Sequence, residues 1–226
     1  MEERNVVKFK KEEFTLREYV INSIGKGKVS KVKIEYAPVG EKIIISTNKP
    51  GLIIGRGGEK IDELTQTLKK RFKLENPHIE IDEIMNAEFD AQIMADEIAL
   101  SLERFGPMRF KVIAYKTLQK MMNAGALGAE IRLSGKLPGS RAKLWKFAQG
   151  YLKKTGDSAK VVDRAQSTAQ TKPGTVGVKV SVLAPGSKIF GEIKINDEML
   201  NSLRENVELS KKGLEIKPKT KKGSKK

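Results

Sequence analysis

The sequence contains no cysteine and only one histidine, His78, among its 226 residues. Without a thiol the chain has no disulfide, no thiolate zinc site and no cysteine nucleophile. A single imidazole excludes a multi-histidine metal site, and any Ser-His-Asp arrangement would have to use His78. We therefore predict a protein with no resident metal and no cofactor.

Long apolar runs and aromatic side chains are also scarce. No apolar run approaches the ~20 residues of a membrane span, and the initial Met-Glu-Glu-Arg does not resemble a secretory signal. We therefore expect a cytoplasmic protein with no membrane partner. Aromatic residues make up 6% of the chain, which argues against recognition of single strands by base stacking. An apolar content of 38% is still sufficient to build hydrophobic cores.

Acidic residues are too few to balance the basic ones, since 28 Asp and Glu stand against 44 Lys and Arg. The excess is local: residues 101–160 contain 13 basic and 3 acidic side chains, and residues 209–226 contain 8 and 1. Clustered like charges repel unless an anion neutralises them. The pattern predicts two polyanion contacts, one on a folded region and one in a disordered tail. For the middle segment, a charge run that only promotes solubility is the alternative.

The spacing of apolar residues predicts alternating helices and strands. In the first half the predicted elements are a helix at Glu12–Ile24, strands at Val29–Tyr36 and Lys42–Thr47, a helix at Glu59–Phe72 and a strand from Ile79. In the second half they are helices at Glu88–Phe105 and Pro107–Asn123, a strand at Ala129–Leu133, a helix at Ser140–Leu152, and strands at Val161–Thr171 and Val176–Leu183.

These elements predict an α+β protein built from two domains. We place the first domain at 1–85, a connecting helix at 86–106, a second α+β domain at 107–190, and an extension with a basic, disordered tail at 191–226.

A glycine-rich tetrapeptide, Gly55-Arg56-Gly57-Gly58, lies between a short apolar segment and an amphipathic helix. Glycines let the backbone approach a phosphate closely, and the following helix offers unpaired N–H groups. Arg56 and Lys60 add positive charge, so the segment predicts a clamp for a nucleic-acid backbone. The alternative is a tight turn between helices that needs glycine for its dihedral angles. A Walker loop is excluded because no Lys-Ser or Lys-Thr follows.

Basic residues of the second half supply the other candidate contacts with phosphate. On the helix predicted from Pro107, they lie opposite an apolar arc or at its flank, and on the helix predicted from Ser140 they point away from the apolar side. We assign Trp145 and Phe147 to core packing rather than to base stacking. The candidate contacts are Arg109, Lys111, Lys116, Lys120, Arg141, Lys143 and Lys146.

The loop and the order of elements in residues 1–85 resemble a type II KH domain, whose G-x-x-G loop clamps four nucleotides of backbone. Over roughly residues 10–185 the chain also resembles a universal family of small-subunit ribosomal proteins, family number three, in its archaeal type. This resemblance is carried further by Ile131-Arg132-Leu133-Ser134-Gly135-Lys136-Leu137, by Arg141-Ala142-Lys143, and by Gly174-Thr175-Val176-Gly177-Val178-Lys179-Val180.

This resemblance implies a structural constituent of the head of the small ribosomal subunit, with no catalytic role. It implies binding to small-subunit rRNA, contact with neighbouring head proteins and a contribution to the mRNA entry region. The family's basic pair at the entry matches Lys111 and Val112, and its next basic sites match Tyr115 or Lys116. Val112 departs from this pattern.

Two other functions remain open at this point. The first is a free KH-type regulator that binds single-stranded messenger RNA. The second is an enzyme, either a lyase with a lysine amine or a nuclease that holds a metal with Glu80, Asp82 and Glu83. Those acids alternate with Ile79 and Ile81, which favours a solvent-exposed strand face over a metal site.

Overall fold

The structure is a computed structural model that describes residues 2–37, 40–72, 74, 76–187 and 207. The predicted extension and tail at 191–226 lie outside these residues, apart from position 207. The described residues up to 187 lie within one compact unit of the chain and contain two β-sheets. No helix in the described ranges is both long enough and apolar enough to cross a membrane.

The first sheet belongs to an N-terminal α+β region. Its elements are α1 (Glu2–Ile24), β1 (Lys31–Ala37), β2 (Gly40–Thr47), α2 (Pro50–Ile54), α3 (Glu59–Phe72) and β3 (His78–Glu83). The strand order is β1-β2-β3, with β1 antiparallel to β2 and β2 parallel to β3. Two parallel strands need a crossover connection, which α2 and α3 provide. The predicted order of elements is confirmed.

The core of this region forms where α1 and α3 cover one face of the sheet. Ile43 and Ile45 of β2 are fully buried, as is Leu68 of α3. The helix α1 begins about ten residues earlier than the sequence pattern predicts, and its buried positions include Leu16 and Val20, four residues apart. Phe14, which the pattern groups with Val20, is exposed because it lies about 120° from Val20 around the helix.

The second sheet has four strands and two covering helices. The elements are α4 (Ala91–Phe105), α5 (Phe110–Asn123), β4 (Gly128–Gly135), β5 (Lys143–Gly150), β6 (Asp163–Thr171) and β7 (Gly174–Leu183). The order is β5-β4-β7-β6 and every pair is antiparallel. The helices bury one side of the sheet, with a core that includes Phe110, Leu118, Ile131, Leu133, Val178 and Val180.

The predicted helix at Ser140–Leu152 is wrong, because Lys143–Gly150 forms the strand β5, paired with β4. Trp145 and Phe147 point toward the core and contact Phe110, with ring centroids 5.3 and 6.4 Å from it. The apolar residues of this segment fit a helical spacing as well as an alternating one. The segment forms a strand rather than a helix because it pairs with the open edge of β4. The assignment of Trp145 and Phe147 to the core is confirmed.

The carboxylates of Asp90, the N-cap of α4, and of Asp96 within α4 join the two halves. Asp90 accepts a hydrogen bond from the hydroxyl of Ser30, and the Asp96 carboxylate accepts one from the N–H of Gly27 at 2.9 Å. Because Ser30 and Gly27 lie just before β1, these bonds attach the first sheet to the helix that covers the second. The positions of the two candidate RNA-binding halves are therefore coupled.

We expect Asp90→Ala to lower the free energy of unfolding by about 1–2 kcal/mol, because Asp90 is the N-cap of α4. Its carboxylate accepts the N–H groups of Gln92 at 2.9 Å and Ile93 at 3.2 Å. Urea unfolding measures the loss. Asp90→Asn is the matched control, since asparagine caps helices as well as aspartate. Equal destabilisation by the two variants would contradict the capping role.

Candidate nucleic-acid interface

The glycine-rich loop follows the end of α2, where the N–H of Gly55 donates to the carbonyl of Gly51 at 3.1 Å. Residues Arg56–Gly58 then form a 3-10 turn that leads into α3. Gly57 and Gly58 have φ angles of 62° and 88°, which other residues adopt only with strain. The local dihedral angles therefore need glycine, as the tight-turn interpretation requires.

The space around the loop also supports its interpretation as a clamp for a nucleic-acid backbone. A Cβ atom added at Gly57 or Gly58 would meet no heavy atom within 4 Å, so the bare backbone there faces open space. At Gly55 the same atom would come within 2.8 Å of Cγ of Lys60. Arg56 and Lys60 are both exposed on either side of this open backbone. The backbone of the loop and both cations are therefore accessible to a phosphate.

A cleft of about 340 Å³ lies beside the loop, between α1, α2 and α3. Its walls include Leu52, Leu64 and Ile79, with Lys28 at the side. Tyr19 also lines the cleft, and its ring packs against the guanidinium of Arg71 at 4.7 Å. The cleft therefore offers aliphatic and polar contacts in similar proportion, next to the glycine-rich loop.

The candidate cations of α5 do not share one environment. Lys116 is exposed. Lys111 is exposed too, but its Nζ lies 5.0 Å from the ring centroid of Trp145, a cation–π contact. The Nζ of Lys120 lies 3.1 Å from a carboxylate oxygen of Glu97 and 3.8 Å from one of Glu88. Carboxylates of the protein already neutralise part of the Lys120 charge, so it has less to offer a phosphate.

Two exposed side chains interrupt the basic surface of α5. Val112 is 68% exposed and Tyr115 is 60% exposed. The ring of Tyr115 packs edge-on against Phe147, with centroids 5.0 Å apart. The position that departs from the family pattern is thus open to solvent without a charge, and Arg109, Lys111 and Lys116 supply the positive groups around it.

The remaining candidates lie on the hairpin of β4 and β5. Arg141 and Lys143 are exposed at the turn and at the start of β5, and Leu137 buries its side chain to anchor the turn. Lys146 lies in the middle of β5 and faces away from the core. The predicted residues therefore fall into three groups: the glycine-rich loop, the surface of α5, and the β4–β5 hairpin.

The open face of the second sheet carries cations that the sequence pattern did not indicate, beside the predicted Lys146. Its centre is Glu130 of β4, whose side chain is only 3% exposed. Glu130 forms ion pairs with Arg132, with Lys154 at 2.9 Å and with Lys146 at 3.5 Å. Side chains alternate along β4, so Arg132 points to the face opposite the buried Ile131, and this alternation is visible in the sequence. The contact of Lys154 with Glu130 depends on the fold.

Two opposing effects act on the pKa of Glu130. Burial raises it, whereas hydrogen bonds from Lys154 and Arg132, together with their charges, lower it. The cations prevail, and the pKa of the Glu130 carboxyl lies below its usual range. At neutral pH this buried carboxylate is therefore ionised.

Two family models match the chain. The model described as a KH domain matches residues 15–88, and the model described as the C-terminal domain of ribosomal protein S3 matches residues 98–182. Together they span both sheets.

Curated relatives match over most of the chain. The small ribosomal subunit protein uS3 of Methanocaldococcus jannaschii is 40% identical over 199 residues, which cover 88% of this chain and 95% of that protein. The protein of the same name from Methanosphaera stadtmanae is 36% identical over 92% of this chain and 82% of its own length.

We expect Glu130→Gln to lower the free energy of unfolding by about 2 kcal/mol at pH 7, because it removes the charge that accepts hydrogen bonds from three half-exposed cations. A folded-state pKa below the unfolded value stabilises the fold above the unfolded pKa of about 4.3, and this contribution is lost as the pH falls through the folded pKa. The difference from the parent protein should therefore shrink at acid pH.

Urea unfolding at pH 7 and near pH 3 measures this change. Asp157→Asn, which breaks the exposed ion pair with Lys160, is the control and should have little effect at either pH. An effect of Glu130→Gln that is the same at both pH values would contradict the ionic role of this carboxylate.

Proposed function

The chain belongs to the uS3 family of small-subunit ribosomal proteins, a structural and non-enzymatic family, and we propose that it binds small-subunit rRNA within the ribosome. The observation that carries this proposal is the glycine-rich loop, where the backbone of Gly57 and Gly58 faces open space between Arg56 and Lys60. Such a loop binds the sugar-phosphate backbone by charge and shape.

The distribution of charge supports a second contact through the C-terminal domain. Residues 101–160 contain 13 basic and 3 acidic side chains, and most of these cations are exposed on α5 and on the β4–β5 hairpin. Phe110, Trp145 and Phe147 pack in or against the core, and the ring of Tyr115 packs against Phe147, so phosphate contact is favoured over base stacking. Residues 209–226, with 8 basic and 1 acidic side chain, would add a third contact.

We further infer that α5 contributes to the mRNA entry region of the small subunit. Arg109, Lys111 and Lys116 are the cations that support this role. The protein would lie in the head of the subunit, beside other head proteins, in the cytoplasm. The uncharged Val112 and the paired Lys120 make this contact with messenger weaker than a fully basic helix would give.

The first test is the association of the full chain with ribosomes. A tagged copy expressed in an archaeal host should sediment with small subunits on a sucrose gradient at physiological salt. A free KH-type regulator would instead stay near the top of the gradient. Recovery of the protein only in the light fractions would contradict the proposed function.

The second test concerns the glycine-rich loop. Arg56→Gln with Lys60→Gln should reduce the salt dependence of binding to a folded transcript of archaeal small-subunit rRNA by about 1.4–1.8 units of slope in log K against log salt. Lys69→Gln with Lys70→Gln removes the same charge from the other end of α3 and should leave the slope unchanged. Equal slopes for both double variants would remove the loop from the interface.

The third test separates two lysines of one helix. Lys116→Gln should lower the same slope by about 0.7–0.9 units, since Lys116 is exposed and forms no ion pair with the described residues. Lys120→Gln should lower it less, because Glu97 and Glu88 already neutralise part of that charge. A larger effect for Lys120 than for Lys116 would contradict the assignment of α5 contacts.

A further inference from the structure

The face of the second sheet that points away from α4 and α5 is exposed and strongly basic. Along β4 and β7 the side chains alternate, so that the residues next to buried ones face solvent. Arg132 lies between the buried Ile131 and Leu133, and Lys179 between the buried Val178 and Val180. This open face lines a cavity of about 540 Å³.

The strand register brings its cations into one row. Arg132 of β4 lies directly opposite Lys146 of β5 on one side and Lys179 of β7 on the other. Lys179 in turn lies opposite Gln166 of β6. Neighbouring strands are about 4.8 Å apart, so the three cations follow one another across a span of about 10 Å. Residues far apart in the sequence thus form one line of positive charge.

A second row, beside the first, holds these cations in place. Glu130 lies opposite Ser181, and Ser181 lies opposite Arg164. The buried carboxylate of Glu130 contacts Arg132, Lys146 and Lys154, a residue that follows β5. One anionic group therefore restricts the conformations of three long side chains, which reduces the entropy that they lose when they bind a ligand.

The charges on this face do not cancel. Five cations, Arg132, Lys146, Lys154, Arg164 and Lys179, surround the single carboxylate of Glu130. Within the part of the chain that the structure describes, Arg164 and Lys179 form no ion pair. The neighbouring amine of Lys154 lowers the pKa of Lys146, and the negative charge of Glu130 opposes this effect.

We propose that this face is an additional RNA-binding surface, on which Glu130 positions Arg132, Lys146 and Lys154 to contact consecutive phosphates and Lys179 and Arg164 extend the contact. The inference rests on the proposed function and names a surface of the C-terminal domain separate from the glycine-rich loop and from α5. It assigns RNA contacts to Arg132, Lys154, Arg164 and Lys179 and gives Glu130 a positioning role.

RNA fits this face better than an acidic protein segment does. The cavity lining contains no aromatic ring, and its apolar residues are Leu152, Ala165 and Val180, whereas the centres of protein interfaces are rich in aromatic residues and poor in lysine. Gln166 and Ser181 add neutral hydrogen-bonding groups around the cations. A polar and strongly positive surface is typical of contacts with a nucleic-acid backbone.

The test uses the full chain with Arg132→Gln and Lys179→Gln together. For this variant, the slope of log K against log salt for binding to the folded transcript of archaeal small-subunit rRNA should fall by about 1.4–1.8 units. Lys69→Gln with Lys70→Gln again removes two charges away from the proposed surface and should leave the slope unchanged. If both variants match the parent protein, the inference is overturned.

The outcomes separate this inference from the proposed function. Suppose that the parent protein binds the transcript and that Arg56→Gln with Lys60→Gln flattens the slope. If the sheet variant then leaves the slope unchanged, only the inference fails. If the parent protein does not bind the transcript, the proposed function fails as well. If the sheet variant loses binding to polyglutamate but keeps its full RNA slope, the face is a site for acidic protein and the inference is overturned.

A second measurement needs no substitution and so cannot be confused with misfolding. Lysine acetylation of the parent protein, followed by mass spectrometry with and without the transcript, reports which amines RNA covers. We expect Lys154 and Lys179 to react at least several-fold more slowly in the complex, while Lys69 and Lys70 keep their rates. Unchanged rates at Lys154 and Lys179 would overturn the proposal.

Discussion

Positive charges that a folded chain holds close together repel one another, and this repulsion is the constraint on which the surface of the protein depends. The backbone fixes Arg132, Lys146 and Lys179 in a row, so these side chains cannot separate as they would in an unfolded chain. Glu130 relieves part of the repulsion from a buried position. The remainder is relieved when an anion with many charges approaches, and the phosphates of RNA meet this requirement at regular intervals.

The same constraint explains why the cations lie on three separate surfaces. The glycine-rich loop exposes backbone and needs only Arg56 and Lys60 beside it, since the start of α3 adds N–H groups of its own. On the open sheet face the strand backbones are paired with one another, so this face uses side-chain charge instead. Because Asp90 and Asp96 connect the two halves, an RNA bound at one surface restricts where it reaches the others.

Much of the fold and part of the site could be predicted from the sequence. The period of apolar residues identified α3, α5 and most strands, because burial on one side of an element leaves a local pattern. The segment Lys143–Gly150 was assigned to a helix, since its apolar residues fit both periods and only its partner β4 distinguishes them. The glycine-rich loop was recognisable because its residues are contiguous. Arg132 and Lys179 were overlooked as contacts because they lie 47 positions apart.

The sequence by itself determined the net charge, the absence of thiols and the glycine-rich loop, because these are properties of composition and of neighbouring residues. It also carried the motifs by which the family was identified. Only the tertiary structure decided which cations are free and which are paired, as the contact of Lys120 with Glu97 shows. It alone brought Lys154 to Glu130 and aligned four strands into one basic face, since strand register and long-range ion pairs arise from packing and leave no local pattern in the chain.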